Sequence, residues 1–393
     1  MRSALVRLVL AVLLALAATV PQVVATPPAR AALVGATIDP VLVQQMTVNP
    51  GRKLPVIVQM DQTLGHSAAA NARLADQALG LLRLNGVARA ALPLVSGAAG
   101  LVDAAGITAL SVLPGVRSIT EDAQVRTRAE TDRAPASAYP LAINADRVWA
   151  AGGSGAGVTV AVLDSGIAAD PDLTQPINRI LARVNLADEL PPSVTDPGGH
   201  GTHVAGTIAG DGGRSAGQFV GIAPAANLVD VRVLDGNGNG RMSSVILGIQ
   251  WALDHRQQFG IRVLNLSLGA PARASYRVDP LAAAVEMAWL RGLVVVAASG
   301  NTNGAVDSPG ADPYVITVGA TDDRETGPVG DDVVGWFSGW GTPALSTPKP
   351  DLVAPGRRIV APRAQGSTLD RLLPDHVVTA ANGASYFRLT GTS

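Results

Sequence analysis

The sequence predicts an α/β protein: a doubly wound, mostly parallel sheet preceded by a small α+β unit. Three observations carry that expectation. Five short runs rich in Val, Ala, Leu and Ile, at 157–163, 227–234, 261–268, 292–298 and 314–319, are predominantly apolar, as strands buried on both faces are. Helical stretches at 200–210, 241–258 and 278–291 separate them, the order of a parallel sheet with helices on both sides. Ahead of these, residues 54–121 run strand, helix, strand, strand, helix, strand, a small α+β arrangement.

In chain order, Arg2 and Arg7 precede an apolar run from Leu8 to Val20, and Val23-Val24-Ala25 ends on a small residue. A charged start, a short apolar stretch and a small-residue end read as a secretory signal over 1–25; the run is short for a membrane span. Pro27-Pro28-Ala29-Arg30 opens an expected linker, 26–52. The small unit, 53–127, has strands at 54–60, near 87–95 and 99–103, and at 115–121. Its helices read at 66–84, where Leu74, Ala78, Leu81 and Leu82 fall at helical spacing, and at 104–113. From Glu121-Asp122 through Arg126, Arg128, Glu130, Asp132 and Arg133 to Ala134-Pro135 the chain turns polar. The segment 128–140 is therefore expected to be an exposed, cleavable connection, with the large domain at 141–393.

Composition excludes several classes. The chain has 393 residues, 47% apolar and 16% charged, too apolar for general disorder. A formal charge of −1 and 3% aromatics leave neither the basic footprint nor the stacking platforms of a nucleic-acid binder. The absence of cysteine excludes thiol catalysis, Cys-based zinc sites and disulfides. Lys53 and Lys349 are the only lysines among many arginines, which suggests a GC-rich bacterial genome. No segment after the signal reads as a membrane span.

Four short motifs carry chemistry. Val158-Thr159-Val160-Ala161-Val162-Leu163 ends at Asp164-Ser165-Gly166, and an acid at the carboxyl end of a parallel strand faces the ligand crevice; alone, such an Asp is as readily a turn former or cap. In Gly198-Gly199-His200-Gly201-Thr202-His203-Val204-Ala205-Gly206, two histidines three apart share a helix face. No Glu lies between them and no third ligand lies near, so an acid–imidazole pair is a better reading than a metal site. Leu293 to Ala298 forms a strand that turns through Ser299-Gly300-Asn301; the Asn301 amide there suits an oxyanion donor or a simple turn. Leu389-Thr390-Gly391-Thr392-Ser393 presents a hydroxyl after a Gly-Thr pair. Two decoys fail: Asp235-Gly236-Asn237-Gly238-Asn239-Gly240 starts like a calcium loop but has Ile246 where the closing Glu belongs, and the Gly-rich 152–157 precedes a strand rather than following one.

Together, Asp164-Ser165-Gly166, the His200–Gly206 motif, Ser299-Gly300-Asn301 and Gly391-Thr392-Ser393 resemble the four signatures of the subtilisin-like serine peptidases, in the family's order. Gly221-Ile222-Ala223-Pro224, Val231 to Asp235, and Lys349 to Gly356 are similar to further family segments. The resemblance implies a subtilisin-like fold and a ferredoxin-like inhibitory propeptide at 53–127, acting as an intramolecular inhibitor. It implies Ser393 as nucleophile, His200 as general base then acid, Asp164 as the group orienting His200, and Asn301 as oxyanion donor. His203 is then structural, and His66, His255 and His376 read as surface or partly buried. Gly238-Asn239-Gly240 and Ser267-Leu268-Gly269 match the edges that pair with extended substrate, Ala298-Ser299-Gly300 the wall beside the scissile bond, and Met242 an apolar pocket farther away.

The expected activity is thus a secreted serine endopeptidase acting on proteins or peptides, made as a self-processed precursor, with no cofactor required for chemistry. Residues 211–220 lack the Asn-rich loop with which some relatives bind calcium, so structural calcium is open and unassigned. In the family the nucleophile begins a buried helix, so the chain is expected to be C-terminally truncated at Ser393 and inactive as it stands. A non-catalytic binding protein and a peptidase acting only on its own propeptide are the alternatives.

Overall fold

The structure is a computed structural model that describes residues 35–61, 67–127, 138–187, 195–341 and 348–393. The expected signal segment lies outside the described residues, as does 128–137 of the expected cleavable connection. The first sheet joins β1 (Thr37–Ile38), β2 (Leu54–Met60), β3 (Gly86–Leu92), β4 (Gly97–Val102) and β5 (Val116–Glu121) in the order β1-β5-β2-β4-β3. Helices Ala68–Asn85 and Ala104–Ser111 cover one face; Val56, Val58, Ala98 and Ile119 bury against Ala78, Leu82, Ile107 and Leu110. Two elements fall where a linker was expected. β1 pairs with β5, and Pro40–Val48 is a helix that starts at Asp39, whose carboxylate accepts the Val41 N–H at 2.8 Å. A two-residue strand has no periodicity to read, and Val41, Val43, Thr47 and Val48 are weak helix formers.

The other face of this sheet is not free. Ile57, Leu92, Leu94, Val95 and Ala99 share a core with Val245, Ile249, Leu281 and Val285, which belong to the helices Met242–Asp254 and Pro280–Leu290. Asp122 accepts hydrogen bonds from Ser243 N (2.9 Å) and Ser243 Oγ (2.7 Å) at the start of the first helix, a position where a carboxylate suits the helix dipole. Residues 35–393 consequently form one compact unit, and the expected small domain is not a separate body.

The large sheet joins β15 (Val333–Val334), β14 (Ile316–Asp322), β13 (Val294–Ala298), β11 (Ile261–Leu266), β7 (Thr159–Asp164), β9 (Asn227–Arg232) and β8 (Ile180–Asn185) in that order, with β16 (Leu352–Pro355) beside β14. Every pairing in it is parallel except β14 with β15. Alternate residues explain the continuous apolar runs: Val160, Val162 and Leu228 pack with Val204, Ala205 and Ala209 of the helix His200–Ala209. Ala161, Leu163, Val229 and Val231 pack toward the two helices on the opposite side. Farther along the His200 side the cover ends, and Val294, Ile316 and Leu352 are 46%, 40% and 48% exposed.

A three-stranded sheet of β17 (Ile359–Pro362), β19 (Ser385–Leu389) and β18 (Val377–Thr379), in that order, closes against the His200 helix; it was not anticipated from sequence. Nearby, the 211–220 segment is held by charge: Arg214 donates to Asp170 and to Ser385 O (2.9 Å), and Arg179 pairs with Asp211 at 3.6 Å.

Candidate active site

The carboxyl ends of the parallel strands set the site. β7 ends on Asp164, and the chain that follows β8 returns to start a helix at His200. Gly199 has φ +94°, a conformation other residues rarely adopt, and a Cβ on Gly201 would lie 2.2 Å from the Gly166 carbonyl. These two glycines let the helix start lie directly on the strand end. His200 Nδ1 stands 2.8 Å and 2.9 Å from the two Asp164 carboxylate oxygens, and each residue is 1% exposed. With Nδ1–H donating to Asp164, Nε2 is the ring's basic atom.

Behind the pair lies Asp196, which sequence reasoning missed. It accepts hydrogen bonds from Ser165 Oγ (2.8 Å), Gly199 N (2.7 Å), Thr202 N (2.8 Å) and Thr202 Oγ1 (2.5 Å). Ser165 Oγ in turn accepts the Gly201 N–H at 3.0 Å. An acid four residues ahead of His200, inside the turn that precedes its helix, was the available signal. Burial opposes the His200 imidazolium, but the Asp164 charge and hydrogen bond, with the Asp196 charge, outweigh it and raise the pKa above 6.5. A neutral imidazole is needed to accept a proton, so activity is expected to fall as pH drops, with its midpoint above 6.5. A kcat/KM profile whose acid limb lies below that value would contradict the pairing.

His200 and Ser393 line one cavity of about 400 Å³, together with Ser267, Ala298 and Thr392. Ser393 Oγ donates to the Ser267 carbonyl at 3.2 Å, and Ser267 Oγ donates to the Ser393 carbonyl at 2.7 Å. Asn301 is oriented by its neighbours: its Oδ1 accepts from Thr392 N (2.9 Å) and Thr392 Oγ1 (2.8 Å), and Thr392 Oγ1 accepts the Gly300 N–H at 3.1 Å. With the oxygen side occupied, Nδ2 is buried and has no hydrogen-bond partner among the described residues. Such a donor is costly to bury unless something else receives its hydrogen.

The other histidines separate by environment. His203 Nε2 contacts the Ile359 carbonyl at 3.0 Å; burial above all, with the His200 charge adding to it and the Ile359 hydrogen bond opposing it, lowers its pKa to about 3. It is a neutral donor tying the helix to β17. His255 stacks on Trp251 with ring centroids 4.1 Å apart. His376 is 2% exposed, with Nδ1 2.7 Å from the Arg388 carbonyl, so it is fully buried rather than a surface or partly buried residue. His66 lies outside the described residues.

The two expected substrate edges are occupied. β6 (Gln124–Thr127) lies between β10 (Asn239–Arg241) and β12 (Leu268–Gly269), antiparallel to each. Arg126 faces both Asn239 and Gly269, Val125 faces Gly240, and Thr127 faces Leu268. Of the residues assigned to these edges, Gly238 sits in the preceding turn, its N–H bonding the Asp235 carbonyl at 3.1 Å. Ser267 touches Ser393 rather than β6 in the described residues. Val125 is fully buried in one core with Leu234, Met242, Ile246 and Leu268, so Met242 is part of that apolar core. Ala298 ends β13, and Ser299 and Gly300 turn away from it toward Asn301.

A doubly wound α/β sheet that carries an acid–imidazole pair, a hydroxyl and an unpartnered amide at one end holds the groups that acyl transfer uses. The chain belongs to the subtilase family, whose sequence model matches residues 155–393. It is 36% identical to "Serine protease AprX" of Bacillus subtilis (strain 168) over 292 residues, covering 72% of this chain and 63% of that protein. It is also similar to "Alkaline protease" of Shouchella clausii, 40% identical over 220 residues that cover 55% of this chain and 52% of that one. "Subtilisin Savinase" of Lederbergia lenta is 43% identical over 170 residues, 43% of this chain and 57% of that one. The chain thus spans between half and two thirds of these relatives' length.

Proposed function

We propose that this chain is the precursor of a serine endopeptidase. The observation that carries the reading is that His200, held by Asp164, lines one cavity with Ser393, while the unpartnered Asn301 Nδ2 is fixed by Thr392, the residue before Ser393. In this reading His200 Nε2 takes the Ser393 Oγ proton as Oγ attacks the scissile carbonyl. The carbonyl oxygen, now negative, receives the Asn301 Nδ2–H and the Ser393 N–H. His200 then gives its proton to the departing amine, leaving an acyl-enzyme, and water repeats the sequence to release the acid. The chemistry requires no cofactor, and any structural calcium remains unassigned. Similarity to proteases of Bacillus subtilis and Shouchella clausii supports a bacterial protein, and the charged and apolar start of the sequence supports export; no helix among the described residues is long and apolar enough to cross a membrane.

The first sheet is, in this proposal, an inhibitory ferredoxin-like propeptide. What supports it is the cover it forms over helices Met242–Asp254 and Pro280–Leu290 and the placement of β6 between both substrate edges. The exposed apolar face at Val294, Ile316 and Leu352, next to the cavity, supports the further reading that an apolar helix of a longer gene product covers it. β6 pairs as far as Thr127 with Leu268, the residue after Ser267, which Ser393 touches. Self-cleavage is therefore expected within the segment 128–140 that follows β6. The test expresses the full gene product, sequences the new N-terminus and assays casein hydrolysis with and without a covalent serine reagent. Reagent labelling of Ser393 with loss of casein hydrolysis supports the reading. An unlabelled protein that hydrolyses nothing would leave only a binding role, and a mature N-terminus well outside 128–140 would overturn the placement of the cleavable segment.

A further inference from the structure

We propose that Asp196 is a positioning residue of this peptidase: a buried anion that ties the end of β7 to the start of the His200 helix and favours the protonated His200 formed during the reaction. The inference rests on the peptidase reading above and adds a residue to its machinery. Asp196 is 2% exposed. Its Oδ1 receives Ser165 Oγ–H, from the end of β7, and Gly199 N–H; its Oδ2 receives both the N–H and the Oγ1–H of Thr202, one turn into the helix.

The directions of these hydrogen bonds fix its charge. Ser165 Oγ already accepts the Gly201 N–H at 3.0 Å, and Thr202 Oγ1 accepts the Ala168 N–H at 2.8 Å. Each hydroxyl therefore has its own hydrogen to give, and Asp196 takes it. With two donors on each oxygen, a proton on the carboxyl would have to displace one of them. Burial raises the Asp196 pKa above 3.8, but the occupied acceptor sites keep the proton out near neutral pH. Among the described residues no ion pair neutralises this charge. Such a buried anion is costly until a cation forms close by.

His200 becomes that cation when it takes the Ser393 proton. Burial disfavours the imidazolium, whereas the Asp164 charge and hydrogen bond, and then the Asp196 charge, favour it. The ring is neutral before the proton moves, so the Asp196 interaction strengthens in the transition state and belongs in kcat. Asp196 also reaches the first carboxylate: it holds Ser165 Oγ, and Ser165 N–H donates to Asp164 Oδ1 at 2.7 Å. Two further groups face the pair. Burial keeps His203 neutral, with a pKa of about 3. Asp230 of β9 acts on Asp196; burial pushes its carboxyl up to about 7, against the charge of Arg183, its partner at 2.7 Å.

The experiment measures kcat and KM against pH for the full gene product, Asp196→Asn and an Asp230→Asn control, each with a thermal denaturation curve. Asp196→Asn keeps the shape and removes the charge. Its acid limb is expected to move down by roughly half a pH unit or more. Its plateau kcat falls about three-fold or more, since one pKa unit is a tenfold change in the balance of the two forms, while KM stays in place. A purely structural role would lower the denaturation temperature without moving the limb. Asp230→Asn leaves the limb in place, because Arg183 matches the charge it removes. A measurement on the unmodified enzyme does not depend on a variant folding: the Asp196 carboxyl carbon, assigned by NMR through its Thr202 N–H neighbour, is expected at its carboxylate shift near neutral pH. An acid limb unmoved in folded Asp196→Asn, a limb that moves with Asp230→Asn instead, or a protonated Asp196 near neutral pH overturns the proposal and leaves the peptidase standing. Failure of the unmodified full gene product to hydrolyse casein or any peptide amide would instead overturn the peptidase reading itself.

Discussion

Replacing His200 with alanine in the full gene product is expected to lower turnover by about 10⁶, the order known for the corresponding change in subtilisin, the family's type enzyme. The proposed mechanism gives the reason. His200 lines one cavity with Ser393, and its Nδ1 is held by both Asp164 oxygens at 2.8 Å and 2.9 Å, which leaves Nε2 as the basic atom. His203→Ala makes the control, because this second imidazole stands one turn along the same helix. Its Nε2 serves the Ile359 carbonyl, and burial with its other surroundings holds its pKa at about 3, so it is neutral and unable to serve as a base near pH 7. Removing it leaves a buried carbonyl without its donor, a cost of about 1–3 kcal/mol in stability. Thermal denaturation and kcat on the same preparations decide the matter. A well-folded His203→Ala protein without turnover, beside an active His200→Ala protein, would reverse the assignment.

Asn301→Ala is expected to lower kcat by about 10²–10³ with KM nearly unchanged, the loss of one oxyanion donor; the magnitude again comes from the family's type enzyme. Two features specific to this protein make the expectation sharp. Thr392 fixes the amide by donating twice to Oδ1, and Nδ2 has no other receiver among the described residues. The ground-state carbonyl needs that hydrogen less than the tetrahedral oxyanion does, so the effect belongs in kcat. Thr392→Val provides a second measurement, since it removes the hydroxyl that orients the amide without touching the donor itself. It should reproduce part of the kcat loss and leave KM in place. A variant of Asn301 that raised KM and kept kcat would mean the amide binds substrate and transition state alike.

The sequence alone determined the parallel sheet, because a strand buried on both faces carries apolar residues on each, as the run Val160–Leu163 ahead of Asp164 does. It also determined the helix start at His200 and the turn at Asn301, where glycines and short polar residues leave few other conformations. Elements without such a local signal were legible only in the fold. β1 and β6 are too short for a period, and each exists because a partner strand from far along the chain supplies its hydrogen bonds. The small sheet reads from sequence as an independent unit, yet its second apolar face needs the helices Met242–Asp254 and Pro280–Leu290 for cover. Asp196 is an ordinary turn acid in the sequence. Its meaning comes from burial and from its approach to Ser165, far back along the chain, and to Thr202. Spacing in the chain records which residues are neighbours along a strand or helix; which carboxylate stands behind the acid–imidazole pair depends on where separate strands end in space.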